Sequence, residues 1–284
     1  MNRRPLALAA VLVTAACAGR TPAPATPRTA AAPAAPAAPA APRDPATLTY
    51  GVGNARYRVE QSTHVVQEVM GQVNTTDISS RQILSAVVTQ GPGNLAMALT
   101  VDSIEMSDPT GAAGPGITAA RGQSFRLVFA PSGLAISTTA PDSTNPVLQQ
   151  ISTGLSDLLP RLPASPISAG QTWSDTLARS ASAGVSTRFV RQHRVVGWED
   201  RDGARALHIV TTSNYTVTGT TEAQGQHIEL SGNGVSNRDS FISVAGLFLG
   251  SVESDSALVN ANVTSVGITV PVHQSRHSTI TRIP

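Results

Sequence analysis

The sequence predicts a mainly β, α+β fold: large antiparallel sheets or an open half-barrel in two strand-rich halves, with one principal helix at about 146–159 packed on the sheet. Three observations carry this reading. First, long stretches alternate with period two: Tyr57, Val59, Thr63, Val65 and Val69 stand against Arg58, Glu60, Ser62, His64 and Glu68, the pattern of a half-buried strand. Second, turn residues punctuate these stretches, as in Gly91-Pro92-Gly93-Asn94 and Glu199-Asp200-Arg201-Asp202-Gly203. Third, apolar residues recur at spacings of three and four in one stretch, Leu148, Ile151, Leu155, Leu158 and Leu159, a single helical stripe.

The helix has a start and a stop. Asn145 before Pro146 reads as an N-cap and first helical position, because the Asn oxygen accepts an orphan N–H and proline has none to lose. Gln149, Gln150, Ser152, Ser156 and Asp157 turn away from the stripe, and Pro160 and Pro163 end it. A helix of about fourteen residues is ~21 Å long and can lie across a sheet. Beyond it Pro166 and Gly170 redirect the chain into a strand bearing Thr172, Trp173 and Thr176.

In the first half, about 47–141, strands are expected from Tyr57 to Val69, from Ile83 to Gln90, from Leu95 to Val101, and through Phe125, Leu127 and Phe129 to a turn at Pro131-Ser132-Gly133. Asp108 to Gly122, with its glycines and prolines, reads as a loop. In the second half, about 171–284, strands are expected at 171–178, 186–198, 204–217, 226–235, 240–244, 247–263 and 268–281, with helix and loop 142–170 joining the halves. Phe125–Leu134 and Phe241–Leu247 share one form: a phenylalanine strand, a tight glycine turn and an apolar return.

The N-terminus carries addresses. Basic Arg3 and Arg4, the apolar run Pro5–Val13 and small residues up to Cys17 make a secretory signal, about 1–16, too short for a mature membrane span. Ala15-Ala16-Cys17 resembles the processing site of bacterial lipoproteins, which makes Cys17 the candidate lipidation site. Thr14 departs from that pattern, and cleavage after Ala18 would instead release a soluble secreted chain. From 17 to 46 the chain is Ala/Pro-rich, with Pro33, Pro36, Pro39, Pro42 and Pro45 at a spacing of three. This matches the three-residue turn of polyproline II, a tether of up to ~85 Å at ~3.1 Å per residue.

Composition excludes several chemistries. The basic residues are all arginine, so Schiff-base lysines, P-loop lysines and Ser-Lys dyads are excluded, and Cys17 is the sole cysteine. Five of the 20 arginines precede Asp44, leaving 15 against 18 acidic residues and a formal charge of −3 for the body, which does not indicate nucleic acid as a partner. His273 and His277 share a strand face but stand ~13 Å apart, too far for one metal ion. His64, His193, His208 and His227 stand singly in strand patterns. No Gly-x-Ser-x-Gly elbow is present, and Gly111–Gly122 lacks the context of a phosphate loop. Trp173 and Asp175, two apart on a strand, share a face: they either frame a polar-bottomed pocket, or the Trp anchors the core while Asp175 caps a turn or meets an arginine.

The order of lipoprotein-like start, Ala/Pro tether, strand-rich half, helix and the segment Gly170-Gln171-Thr172-Trp173-Ser174-Asp175 resembles a group of uncharacterised bacterial envelope lipoproteins that share a domain of unknown function. More distantly, many antiparallel strands with a helix laid on them are similar to the LolA-like carriers, half-barrels that hold acyl chains. The expectation is a non-enzymatic binding or assembly module without cofactor or metal, lipid-anchored at the periplasmic face of a bacterial membrane, the outer membrane in first place. The alternative is a carrier of an apolar, lipid-like ligand held between sheet and helix. Leu148, Ile151, Leu155, Leu158, Trp173 and Asp175 are the candidate ligand-facing or hinge residues, and an envelope protein or an apolar ligand the expected partner.

Overall fold

A computed structural model describes residues 44–284, apart from 70, 108–113, 143, 181–183, 202, 224–225 and 266. Cys17, the signal segment and the Ala/Pro tether up to residue 43 lie outside the described residues; at the tether's end Asp44 pairs with Arg205 at 2.8 Å and Ala46 O accepts from Ile167 N–H at 2.6 Å. Residues 43–284 form one compact unit.

The fold is mainly β: one open antiparallel sheet of 11 strands and two short helices. The strands, in chain order, are β1 (Gly53–Val69), β2 (Gln72–Gln90), β3 (Leu95–Ser107), β4 (Ser124–Phe129), β5 (Ala135–Thr139), β6 (Thr172–Ser180), β7 (Val185–Arg201), β8 (Ala204–Ala223), β9 (Gln226–Ser243), β10 (Phe248–Val263) and β11 (Ile268–Ile283). Their spatial order is β5-β4-β3-β2-β1-β11-β10-β9-β8-β7-β6. The two expected strand-rich halves are therefore two wings of one sheet. The ladder from Arg56↔Ile283 to Gln67↔Val272 zips the first strand to the last, and the segment between β5 and β6 runs from one sheet edge to the other.

Helix α2 (Pro146–Leu155) starts as expected, with Asn145 Oδ1 accepting from Leu148 N–H at 3.3 Å. It stops four residues short of 159. Ser156, Asp157 and Leu158 instead donate to carbonyls three residues back, a tightened terminal turn. The stretch read as a loop at 108–122 contains a further helix, α1 (Gly114–Ala120), whose Ile117 and Ala120 pack on the core. A gap between strands was expected at 236–239, but β9 runs unbroken, because the polar side chains there alternate between the two faces like their neighbours. β2 starts eleven residues before Ile83, since a tight hairpin pairs Val69 with Gln72 and carries its polar first half into register.

Both helices lie on one face, hereafter the inner face. Leu148, Leu155, Leu159 and Leu162 join Phe125, Leu127, Phe129, Met97 and Leu99 in the main core, at the end of the sheet where β4 and β5 pair. The segment after α2 is tied down there by Tyr50 Oη donating to Pro160 O at 2.9 Å and Leu162 N–H donating to Ser132 O at 2.8 Å. Gly133 is required at that crossing. Its φ is +87°, and a Cβ would stand 2.6 Å from the Tyr50 ring and 2.7 Å from Pro160 O.

Candidate functional site

Strand register sorts the inner face into rows. Next to the apolar core lies a row of Trp173, His193, Thr211, Arg238, Glu253, Ser278 and Gln61 from β6 to β1, and beyond it a row of Asp175, Arg191, Ser213, Ser236, Asp255, Arg276 and Thr63. These two rows form a polar belt on a face that is otherwise apolar above and below. Charges so placed need partners, because burying an unpaired one costs several kcal/mol.

Asp157, from the turn after α2, is the hub. Its carboxylate meets the guanidiniums of Arg191, of Arg179 at 2.5 Å and of Arg238 at 3.3 Å, and Arg238 also donates to the Asp157 carbonyl at 2.6 Å. Asp175 accepts from Arg191 in a two-pronged pairing at 2.6 and 2.8 Å, with Arg161 at 3.5 Å. Glu253 pairs with Arg238 at 2.5 Å and Arg276 at 3.3 Å. Burial by itself would raise the Asp157 and Asp175 carboxyls, but the guanidiniums outweigh it and hold both below the usual carboxylate range, with the His193 ring, its Nε2 3.5 Å from Asp175 Oδ1, acting in the same direction on Asp175. Asp255, whose partner is Tyr215 Oη at 3.1 Å, is instead pushed up by burial. Five guanidiniums therefore face four carboxylates. The Nε atoms of Arg179 and Arg276 are buried without a hydrogen-bond partner among the described residues.

The sequence-predicted residues fall into two groups. Leu148 and Leu155 are buried, and Ile151 and Leu158 pack beside them in the core. Trp173 and Asp175 do share a face, and both stand in the belt. Trp173 is half-buried and stacks on the His193 ring at 5.1 Å, while His193 Nδ1 lies 2.9 Å from Thr211 Oγ1. His273 and His277 are exposed strand residues. Between the segment after α2 and the sheet, the void lined by Tyr50, Tyr57, Met97, Phe129, Leu159 and Phe248 has a volume of about 20 Å³, space for a water and not for an acyl chain.

Beyond the belt the same face turns apolar again. Its rows hold Tyr215, Gly234, Ala257, Gln274 and Val65, then Val217, Gly232, Val259, Val272 and Gln67, then Gly219, Leu230, Ala261 and Val270, and last Thr221, Ile228, Val263 and Ile268, so that valine, leucine and isoleucine dominate with single polar residues between them. The helices make their contacts at β3 and β5, and no helix covers these rows among the described residues. Val217, Leu230, Val259, Val263, Val270 and Val272 are half-exposed, whereas the opposite face of the same strands carries Thr216, Thr218, Asn233, Ser231, Asn260 and His273, with Leu258 as an exposed apolar residue among them. Gly234 makes room for the Tyr215 ring, which crosses it to reach Asp255; a Cβ there would stand 2.3 Å from the ring. Five strand spacings of ~4.8 Å would separate β6 from β11 by ~24 Å in a flat sheet. Across that width Arg179 on β6 and Arg276 on β11 are linked by a chain of ion pairs through Asp157, Arg238 and Glu253.

The belt was not foreseen from sequence. Its signal is parity: Arg191 and His193 occupy the same alternating positions as buried Val195, and Arg238 those of Ser240 and Ile242. The Asp157 partnership, 34 and 81 residues distant, leaves no local pattern.

No family model and no curated protein matches the chain. Among solved structures it is similar to a triple mutant of the Rh. blastica porin, at 9% identity over 80% of this chain and 100% of that one, TM-score 0.21. It is also similar to a DUF1329 family protein from Desulfovibrio piger, at 10% identity over 81% of this chain and 84% of that one, TM-score 0.12. Likeness this slight carries no statement about ligand, partner or location.

Proposed function

We propose that the protein is a non-enzymatic binding module of the bacterial cell envelope that takes the apolar chain of a lipid-like molecule on the uncovered end of its inner face. The observation that carries this reading is the row pattern beyond the belt, where Val217, Leu230, Val259, Val263, Val270 and Val272 stand half-exposed on one face of four adjacent strands. Contiguous apolar surface left open to water marks an interaction site. The belt beside it adds charge complementarity: guanidiniums in excess over carboxylates suit an anionic head group next to an apolar chain. On this reading the ligand lies away from the sheet–helix contact, where the void is about 20 Å³. The envelope location and the anchor at Cys17 rest on the order of basic, apolar and small residues at the N-terminus. LolA-like carriage is the finer form of the same reading.

Native mass spectrometry of the protein extracted from its own envelope is the test. The expected result is an adduct of lipid mass that is lost in Val259→Asp and in Leu230→Asp while the melting temperature holds. A wild-type protein that emerges without any adduct and fails to take up a fluorescent fatty acid overturns the proposal.

A further inference from the structure

A second groove lies elsewhere, at the end of the sheet nearer the helices but reached from the opposite face. Asn54, Arg56, Ser85 and Val87 are register neighbours on that face of β1 and β2. With the β7–β8 hairpin and the end of β11 they enclose an open groove of about 680 Å³, within the range of small-molecule sites. Its walls are largely apolar, with Val87, Ala204, Leu249 and Ile283 among them, and Arg56, Arg201 and Arg282 are among its lining residues, Arg282 sharing the inner-face register of Tyr57 and Ile280. Among the described residues no Asp or Glu side chain does.

The three arginines are not equivalent. Arg56 is committed to Asp102 at 3.2 Å. The Arg201 guanidinium carbon lies over the Phe241 ring, 3.5 Å from its centroid, and Phe241 is itself buried in a small cluster with Ala206 and Leu249 and stacked on His208 at 4.7 Å. Stacking fixes the guanidinium plane and uses its face, leaving the N–H edge free to donate. Neither Arg201 nor Arg282 makes an ion pair among the described residues. The geometry points to a second binding site here, for a small ligand that joins an apolar body to an oxyanion, carboxylate or phosphate. The apolar body lies against Val87, Leu249 and Ile283, and the oxyanion meets the Arg201 guanidinium.

Octanoate and octyl phosphate, with octanol as the uncharged control, test this by methyl NMR of the full chain. Either anion should shift the Val87, Leu249 and Ile283 methyls, and the stronger of the two identifies the oxyanion. Octanol should bind at least ~10-fold more weakly, the scale of one or two charged hydrogen bonds. Arg201→Gln should weaken the anion ~10-fold and leave octanol unchanged; Arg201→Lys, which keeps the charge, should recover part of the anion affinity and so separates ligand binding from packing. Equal binding of octanol overturns the proposal, as does an unshifted Leu249 with both anions. Shifts confined to Val217, Val259 and Leu230 overturn it too, and would report on the inner face instead.

Discussion

Removing the Asp157 carboxylate should weaken the whole fold, and the structure sets how much. Breaking a buried ion pair by deleting one partner costs ~3–5 kcal/mol, because the charge left behind stays buried. Three guanidiniums lose a partner in Asp157→Ala, yet they are not equally stranded. Arg191 keeps its two-pronged pairing with Asp175, and Arg238 keeps Glu253. Arg179 is left with no carboxylate, and its Nε already lacks a partner. One orphaned charge places the cost near the lower end, ~3 kcal/mol, and in a domain of this size each kcal/mol moves the melting temperature by ~2–4 °C. Asp157→Ala should thus melt ~6–12 °C below wild type by circular dichroism, and Arg179→Met in the same background should recover part of the loss by removing the orphan. A single variant melting within ~2 °C of wild type, or a double variant less stable than Asp157→Ala, would refute the assignment of Asp157 as the hub.

Further outcomes follow from the same contacts. The Asp157 and Asp175 carboxyls are held low in the folded state, so the stability they contribute is present above the unfolded value near ~4 and is lost as pH falls below it; Asp255, pushed up, works in the opposite sense and gains stability on mild acidification. Urea midpoints between pH 7 and pH 3 should show a shallow gain and then a steep loss below ~4, and a flat profile contradicts the belt. Leu155→Ala should cost ~2–5 kcal/mol and Trp173→Ala ~3 kcal/mol, the latter nearer the low end for a large-to-small change because Trp173 is half-buried. Measured in a Trp198→Phe background, red-shifted, quenched Trp173 fluorescence would count against its stacking on His193. Cys17→Ala should release the protein from the membrane fraction; a wild-type protein that is already soluble and begins at Gly19 contradicts the lipid anchor.

The fold class, most strand positions and the start of α2 were legible in sequence because they rest on local rules: period two, turn residues, and an Asn-Pro cap. What was not legible is non-local. That β1 closes onto β11, making one sheet of two halves, depends on the pairing of segments some 220 residues apart in sequence, for which alternation gives a face but no partner. The polar half of β2 and the unbroken course of β9 escaped for a related reason. Their residues have weak strand preference of their own and are held by neighbours already in register.

The site shows the same division in sharper form. Trp173 and Asp175 could be placed on one face from their spacing alone, and an arginine partner for Asp175 could be anticipated. That this arginine is Arg191 follows from the β6–β7 register. Asp157 is harder: helical periodicity turns it away from the apolar stripe, which on an isolated helix means solvent. Here the helix tightens after Leu155, and the residue turned from the stripe is delivered to the inner face beside Arg179, Arg191 and Arg238. A carboxylate at that point caps the apolar core with a fixed ionic layer. The layer cannot be bridged by hydrocarbon, so the apolar surface beyond it is separated from the core and remains open. An apolar stripe that simply continued would have been covered by a longer helix. The belt thus divides one sheet face into two apolar regions, one packed against α2 and the other half-exposed.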